Sequence, residues 1–196
     1  MQHHNDTTQP GFALLMTLIV VSVVISVGLT LIDLTIKQLR LSTGSRDSEV
    51  AFHAANAGVE CARYWRLASS TAFENGTGNT VPMRCFGALA PVSPTKDADP
   101  VFNGPDDIYK YDMQFSWGSG SAQRCSQITM VTLSSNPTSA GVTLNDVPTY
   151  VEGYPEQDKN CIAGGRCTII SVRGFNKPCA SINQIGTVQR EVLLEL

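Results

Sequence analysis

The stretch QPGFALLMTLIVVSVVIS, Gln9–Ser26, decides how the rest of the chain is read. From Phe12 to Ile32 there is no charged residue. At about 1.5 Å rise per residue, a helix of that length spans roughly 30 Å, the hydrocarbon thickness of a bilayer. It exceeds the usual apolar core of a cleavable secretory signal, and no small-x-small cleavage site follows it. The segment 12–33 is therefore expected to cross a lipid bilayer as a single helix. The first charges are Asp33, Lys37 and Arg40, and the helical pattern continues past them.

Composition bounds what lies beyond. The chain has 196 residues and a formal net charge of -3, with Lys and Arg scattered, so no basic surface points to nucleic acid. Six cysteines, Cys61, Cys85, Cys125, Cys161, Cys167 and Cys179, all follow the apolar segment. An even number on one side of a membrane, with no C-x-x-C spacing, reads as disulfides made in an oxidising compartment. Cys161 and Cys167, separated by the flexible IAGGR, form the pair most readily expected. One signal opposes this orientation: Lys37, Arg40 and Arg46 follow the span while no Lys or Arg precedes it, and basic flanks favour the cytoplasm. Asp33, Asp47 and Glu49 dilute that charge, and the cysteines carry more weight.

From Asp33 to Ala68 there is no proline. Val50, Ala54, Ala57 and Cys61 recur at helical spacing, continued by Tyr64 and Trp65, so residues 34–68 extend the first helix as an amphipathic half. Gly44 costs that helix about 1 kcal/mol relative to Ala without ending it. The small residues Ala54, Ala55, Ala57 and Gly58 allow a close approach to another surface. After Ser69 the texture turns to Gly, Pro, Asn and Ser, and residues 69–107 read as one long loop with little regular structure.

In YKYDMQFSW, Tyr109, Tyr111, Met113, Phe115 and Trp117 alternate with Lys110, Asp112, Gln114 and Ser116, which marks a half-buried strand. SQITMVTL, CTIISVRGF and TVQREVLLEL are three further strands, the last two joined by a Pro- and Gly-containing connection that suits an antiparallel pair. The fold expected is α+β: a long N-terminal helix packed on an antiparallel sheet, with residues 69–196 forming a β-rich, disulfide-bonded head.

A polar leader ending in Gly11, then Phe12, then an apolar helix running into EVAFHAANAGVECARYW, resembles the type IV prepilins. Within that family it is similar to minor pilins and tip pseudopilins having A-F-x-A-A-x-A-G-x-E after the span, here Ala51, Phe52, Ala54, Ala55, Ala57, Gly58 and Glu60. SVRG…QREVLLEL resembles their final strands. The resemblance implies that 1–11 is a leader, that a prepilin peptidase cuts between Gly11 and Phe12, and that Phe12 is then N-methylated. It implies a helix that leaves the inner membrane for a filament of other pilin or pseudopilin subunits, assembled on an inner-membrane platform, with the head outside the cytoplasm. Glycine before the cut leaves the peptidase room to approach the scissile bond.

Two departures bear on the role. The leader MQHHNDTTQPG has no Lys or Arg, only His3 and His4. The family's acid at the fifth mature residue is replaced by Met16. A carboxylate is costly in hydrocarbon and serves to meet another subunit's terminal amine. Its loss suits a scarce subunit at the tip, which helps to start a filament. The alternative is a stand-alone membrane-anchored binding or adhesion domain.

Catalytic chemistry finds no support. The mature chain would keep one histidine, His53, and WGSGSAQ lacks the G-x-S-x-G pattern of a nucleophile elbow. No phosphate-binding loop or H-E-x-x-H is present, and no cofactor is expected. KDADPVFNGPDD gathers Asp97, Asp99, Asn103, Asp106 and Asp107, whose oxygens suit Ca²⁺ in kind but not in EF-hand order. A solvated acidic loop is the ordinary reading of such a run.

Overall fold

The structure, a computed structural model, describes residues 10–75, 81–92, 95–96 and 107–196. Helix α1 runs unbroken from Pro10 to Ala68, 59 residues, longer than the span alone requires. A short helix α2, Ser70–Asn75, turns back after it. The chain divides into two compact units, the first ending at Arg46 and the second comprising Asp47–Leu196, so the boundary falls within the helix.

In the second unit, strands β4 (Asp107–Trp117), β5 (Arg124–Ser134), β8 (Arg166–Phe175) and β9 (Gln189–Glu195) form an antiparallel meander. The two-residue β3, Thr95–Lys96, adds to the β4 edge. These are the four expected strands, each differing from its expected limits by one or two residues. The fold is the α+β arrangement of a long helix on an antiparallel sheet.

The expected loop 69–107 is corrected. Besides α2 it holds a hairpin, β1 (Val81–Cys85) and β2 (Ala88–Val92), turning at Phe86–Gly87. Both turn residues have positive φ, 53° and 79°, as a tight two-residue hairpin turn requires. Phenylalanine is an unusual choice there, which hides the turn from sequence inspection. Val81, Met83 and Cys85 are buried and place the hairpin in the core, where tertiary contact outweighs weak local propensity.

Each sheet face has its own core. The inner face carries Tyr111, Met113, Phe115, Ile128, Met130, Ile170 and Val172 against Ala55, Val59 and Ala62 of α1. Phe73 of α2 is fully buried edge-to-face on Tyr111, with ring centroids 4.9 Å apart. Burying a ring of this size contributes about 1.5–3 kcal/mol. The outer face is covered at one end by the excursion between β5 and β8, which holds β6 (Val142–Leu144), α3 (Val147–Tyr150) and β7 (Lys159–Cys161). That excursion seats Val142, Leu144, Val147, Val151 and Tyr154 on Val131, Leu133 and Ile169.

The face of α1 that packs is rotated from the expected stripe. Ala51, Ala54, Ala55, Gly58, Val59 and Ala62 are buried, whereas Tyr64 is 65% exposed. The reason is steric. Gly174 of β8 approaches so closely that a Cβ there would collide with the backbone of Ala51 and Ala55. A Cβ on Gly174 has no room, and a tyrosine on that helix face would have less. Ser126 Oγ adds a 2.7 Å hydrogen bond to the Ala54 carbonyl at the same contact.

Candidate functional site

In the first unit, the side chains of α1 from Phe12 to Leu41 lie almost wholly at the surface: Phe12 is 64% exposed and Met16 49%. Four of its hydroxyls are bonded back within the helix. The hydroxyls of Thr17, Ser22, Thr30 and Thr35 donate to the carbonyls of Leu14, Ile19, Val27 and Leu31 at 2.7–2.8 Å. Hydroxyls bonded back in this way leave an apolar cylinder, the condition for a helix in hydrocarbon. The helix is long and apolar enough to cross a membrane. Charge resumes with an Asp33–Lys37 pair at 2.8 Å, one turn apart and solvent-exposed. Gly11 and Phe12 stand in the first turns of this helix, with Met16 one turn further on.

The second unit is closed by three disulfides, Cys61–Cys85, Cys125–Cys179 and Cys161–Cys167, and none of the six cysteines is free. They tie α1 to the hairpin, the start of β5 to the loop after β8, and the excursion to the start of β8. A buried charge cluster adds to them. Arg66 Nη2 lies 2.8 Å from Glu74 Oε1, Arg66 Nε donates to Thr168 Oγ1 at 2.8 Å, and Arg166 pairs with the second oxygen of Glu74. Burial lowers the Arg66 pKa, and the neighbouring Arg166 lowers it further. The Tyr111 hydroxyl donates to the Phe73 carbonyl at 2.7 Å, and burial raises its pKa. Helix ends, hairpin and sheet are thereby locked together.

The outer face of the sheet beyond the excursion is open. There a groove of about 730 Å³ runs across β4, β5, β8 and β9, walled on one side by Pro148–Glu152. Gln114, Gln127, Arg173 and Glu191 stand opposite one another in a single cross-strand row. Asp112, Thr129 and Ser171 form the next. Gln127 Nε2 donates to Gln114 Oε1 at 3.4 Å, Thr129 Oγ1 to Asp112 Oδ1 at 2.7 Å, and Ser171 Oγ to Glu191 Oε1 at 2.5 Å. Arg173 Nη1 donates to Glu152 Oε2 at 3.1 Å across the wall. The alternation in YKYDMQFSW already places Lys110, Asp112 and Gln114 on a shared polar face. Nothing local marks Glu152 or Arg173 as their neighbours.

Other candidates disperse. His53 is exposed and lies 3.7 Å from Glu49 one turn away, remote from the groove. Asp97, Asp99, Asn103 and Asp106 lie outside the described residues, and Asp107 opens β4. Among the described residues, no His, Cys, Asp and Glu gather into a group that could hold a metal ion. The WGSGSAQ run forms the turn between β4 and β5, with positive φ at Gly118 and Gly120. The chain matches no protein-family profile, no curated protein and no solved structure.

Proposed function

We propose that the protein is a minor pilin or pseudopilin subunit of a type IV pilus or related secretion machine, placed at the filament tip and helping to initiate assembly. The observation that carries this reading is the two-part character of α1. Its first part presents an apolar surface, and its last part is buried by its small residues on an antiparallel sheet. A helix of the first kind can exchange lipid contacts for contacts with like helices, while the second part holds a folded head. Three disulfides in the head support an extracytoplasmic location. Partners on this reading are the prepilin peptidase, the assembly platform, other subunits and the bilayer.

Met16 supports the tip. A shaft subunit meets the terminal amine of another subunit through an acid near its own N-terminus; a subunit that receives none can dispense with the acid. The stand-alone anchored binding module is the second reading, favoured by the open groove, and it requires no cut before Phe12. Mass spectrometry of protein recovered from cells separates them. N-methylated Phe12 is expected, and an intact N-terminus in the leader rejects the pilin reading. With the cut established, label spread evenly along sheared filaments, at the stoichiometry of the major subunit, rejects the tip position.

A further inference from the structure

We infer that the groove on the outer face of the sheet is a binding site for an uncharged saccharide, whether or not the chain assembles into filaments. β5 and β8, the central strands of the groove floor, have strand neighbours on both sides, so a peptide cannot add as a strand there. Recognition there must go through side chains, and these are polar groups of mixed kind. Lys110 and Arg173 face Asp112, Glu152 and Glu191, which leaves little net charge to attract a strongly charged ligand.

The pairing within the groove leaves capacity to spare. Gln127 spends one N–H on Gln114, keeping its second N–H and its own carbonyl oxygen, and Gln114 keeps both of its N–H groups. The Asp112 carboxylate accepts the Thr129 hydroxyl and faces the Lys110 ammonium at 3.2 Å, the Glu191 carboxylate accepts the Ser171 hydroxyl, and both have further lone pairs. Planar amide and carboxylate edges of this sort meet adjacent hydroxyls, each of which donates one hydrogen bond and accepts two. Half-buried Tyr150 in the wall supplies an aromatic surface for the apolar C–H face of a sugar ring. The row from Gln114 to Glu191 crosses four strands, about 14 Å at the usual inter-strand spacing, so more than one sugar unit can lie along it.

The test uses the full chain with its disulfides intact, purified in a zwitterionic detergent without a sugar headgroup. It is applied to an array of uncharged oligosaccharides, whose multivalent display compensates for weak single-site affinity. Selective retention of a subset is expected. Gln114→Ala/Gln127→Ala should weaken that binding about tenfold, since two hydrogen-bonding side chains are lost. Gln127→Arg should abolish it by filling the groove, and Gln184→Ala, in a distant loop, should leave it unchanged. Both groove positions are solvent-accessible, and an unaltered melting midpoint establishes that the variants are folded. Absence of binding to every oligosaccharide, equal binding by the groove variants, or retention of charged peptides in preference to saccharides would each overturn the assignment.

Discussion

Gly174 of β8 lies against the backbone of α1 at Ala51 and Ala55, so close that no side chain fits between them. Around this contact the second unit is assembled: Gly58 faces Val172 and Ser126, and Ala54 accepts the Ser126 hydroxyl. Gly174→Ala should therefore cost about 1–3 kcal/mol, because both colliding partners are main chain and neither can yield as a side chain would. Thermal unfolding in detergent would register this as a lowered midpoint. Gly44→Ala, where a Cβ meets nothing within 4 Å and the residue lies outside the sheet unit, should leave that midpoint in place. Equal midpoints for Gly174→Ala and the parent would refute the close approach.

The Arg66–Glu74 pair should behave as a buried ion pair, with removal of one partner worse than removal of both. Glu74→Leu strands the buried Arg66 guanidinium and should cost about 3–5 kcal/mol. Arg66→Met/Glu74→Leu, which replaces both by apolar side chains, should recover most of that loss. A double-mutant cycle measured by denaturant unfolding decides the matter, and simple additivity of the single variants would count against coupling.

The disulfides should rank by the length of chain they close. Sequence separations are 54 for Cys125–Cys179, 24 for Cys61–Cys85 and 6 for Cys161–Cys167. On a loop-entropy basis these correspond to about 4, 3.5 and 2.4 kcal/mol. Paired Cys→Ala variants should lower the unfolding midpoint in that order. A larger loss on removing Cys161–Cys167 than on removing Cys125–Cys179 would show that native packing of the excursion, not chain entropy, dominates.

Stability should fall at both extremes of pH through one contact, where Glu195 of β9 holds the excursion. The Lys159 ammonium and then the Tyr154 hydroxyl, which donates at 2.5 Å, stabilise the Glu195 carboxylate and lower its pKa. A lowered folded pKa adds stability above the unfolded carboxylate range and loses it as pH falls through the folded value. Burial, and then the bond to Glu195, raise the Tyr154 pKa, so its contribution is present below the ordinary tyrosine range and lost as pH rises beyond it. Glu195→Gln should flatten the acid limb and Tyr154→Phe the alkaline limb of a midpoint-versus-pH curve. The effects are expected to be small because Glu195 is solvent-exposed. Unaltered limbs in both variants would remove this contact from the account.

What the sequence by itself determined is what local order records. The charge-free run from Phe12 to Ile32 commits that segment to an apolar helix, because side chains apolar on every face leave no polar side to turn toward water. The alternation from Tyr109 to Trp117 marks a strand with one buried face, because pleating sends neighbouring side chains to opposite sides. Cys161 and Cys167 could be matched by proximity alone. The tertiary structure decided the rest. The small residues Ala54, Ala55 and Gly58 already mark a face for close approach in the sequence, but it took the tertiary structure to bring Gly174 to that face and to turn Tyr64 away from it. It drew residues 81–92 into a hairpin by burying Val81 and Met83, although the turn carries Phe86 at positive φ. It joined Cys61 to Cys85 and Cys125 to Cys179, and brought Glu152 across to Arg173. These are relationships between residues distant in the chain, and their energies depend on packing and shape that no window of neighbouring residues contains.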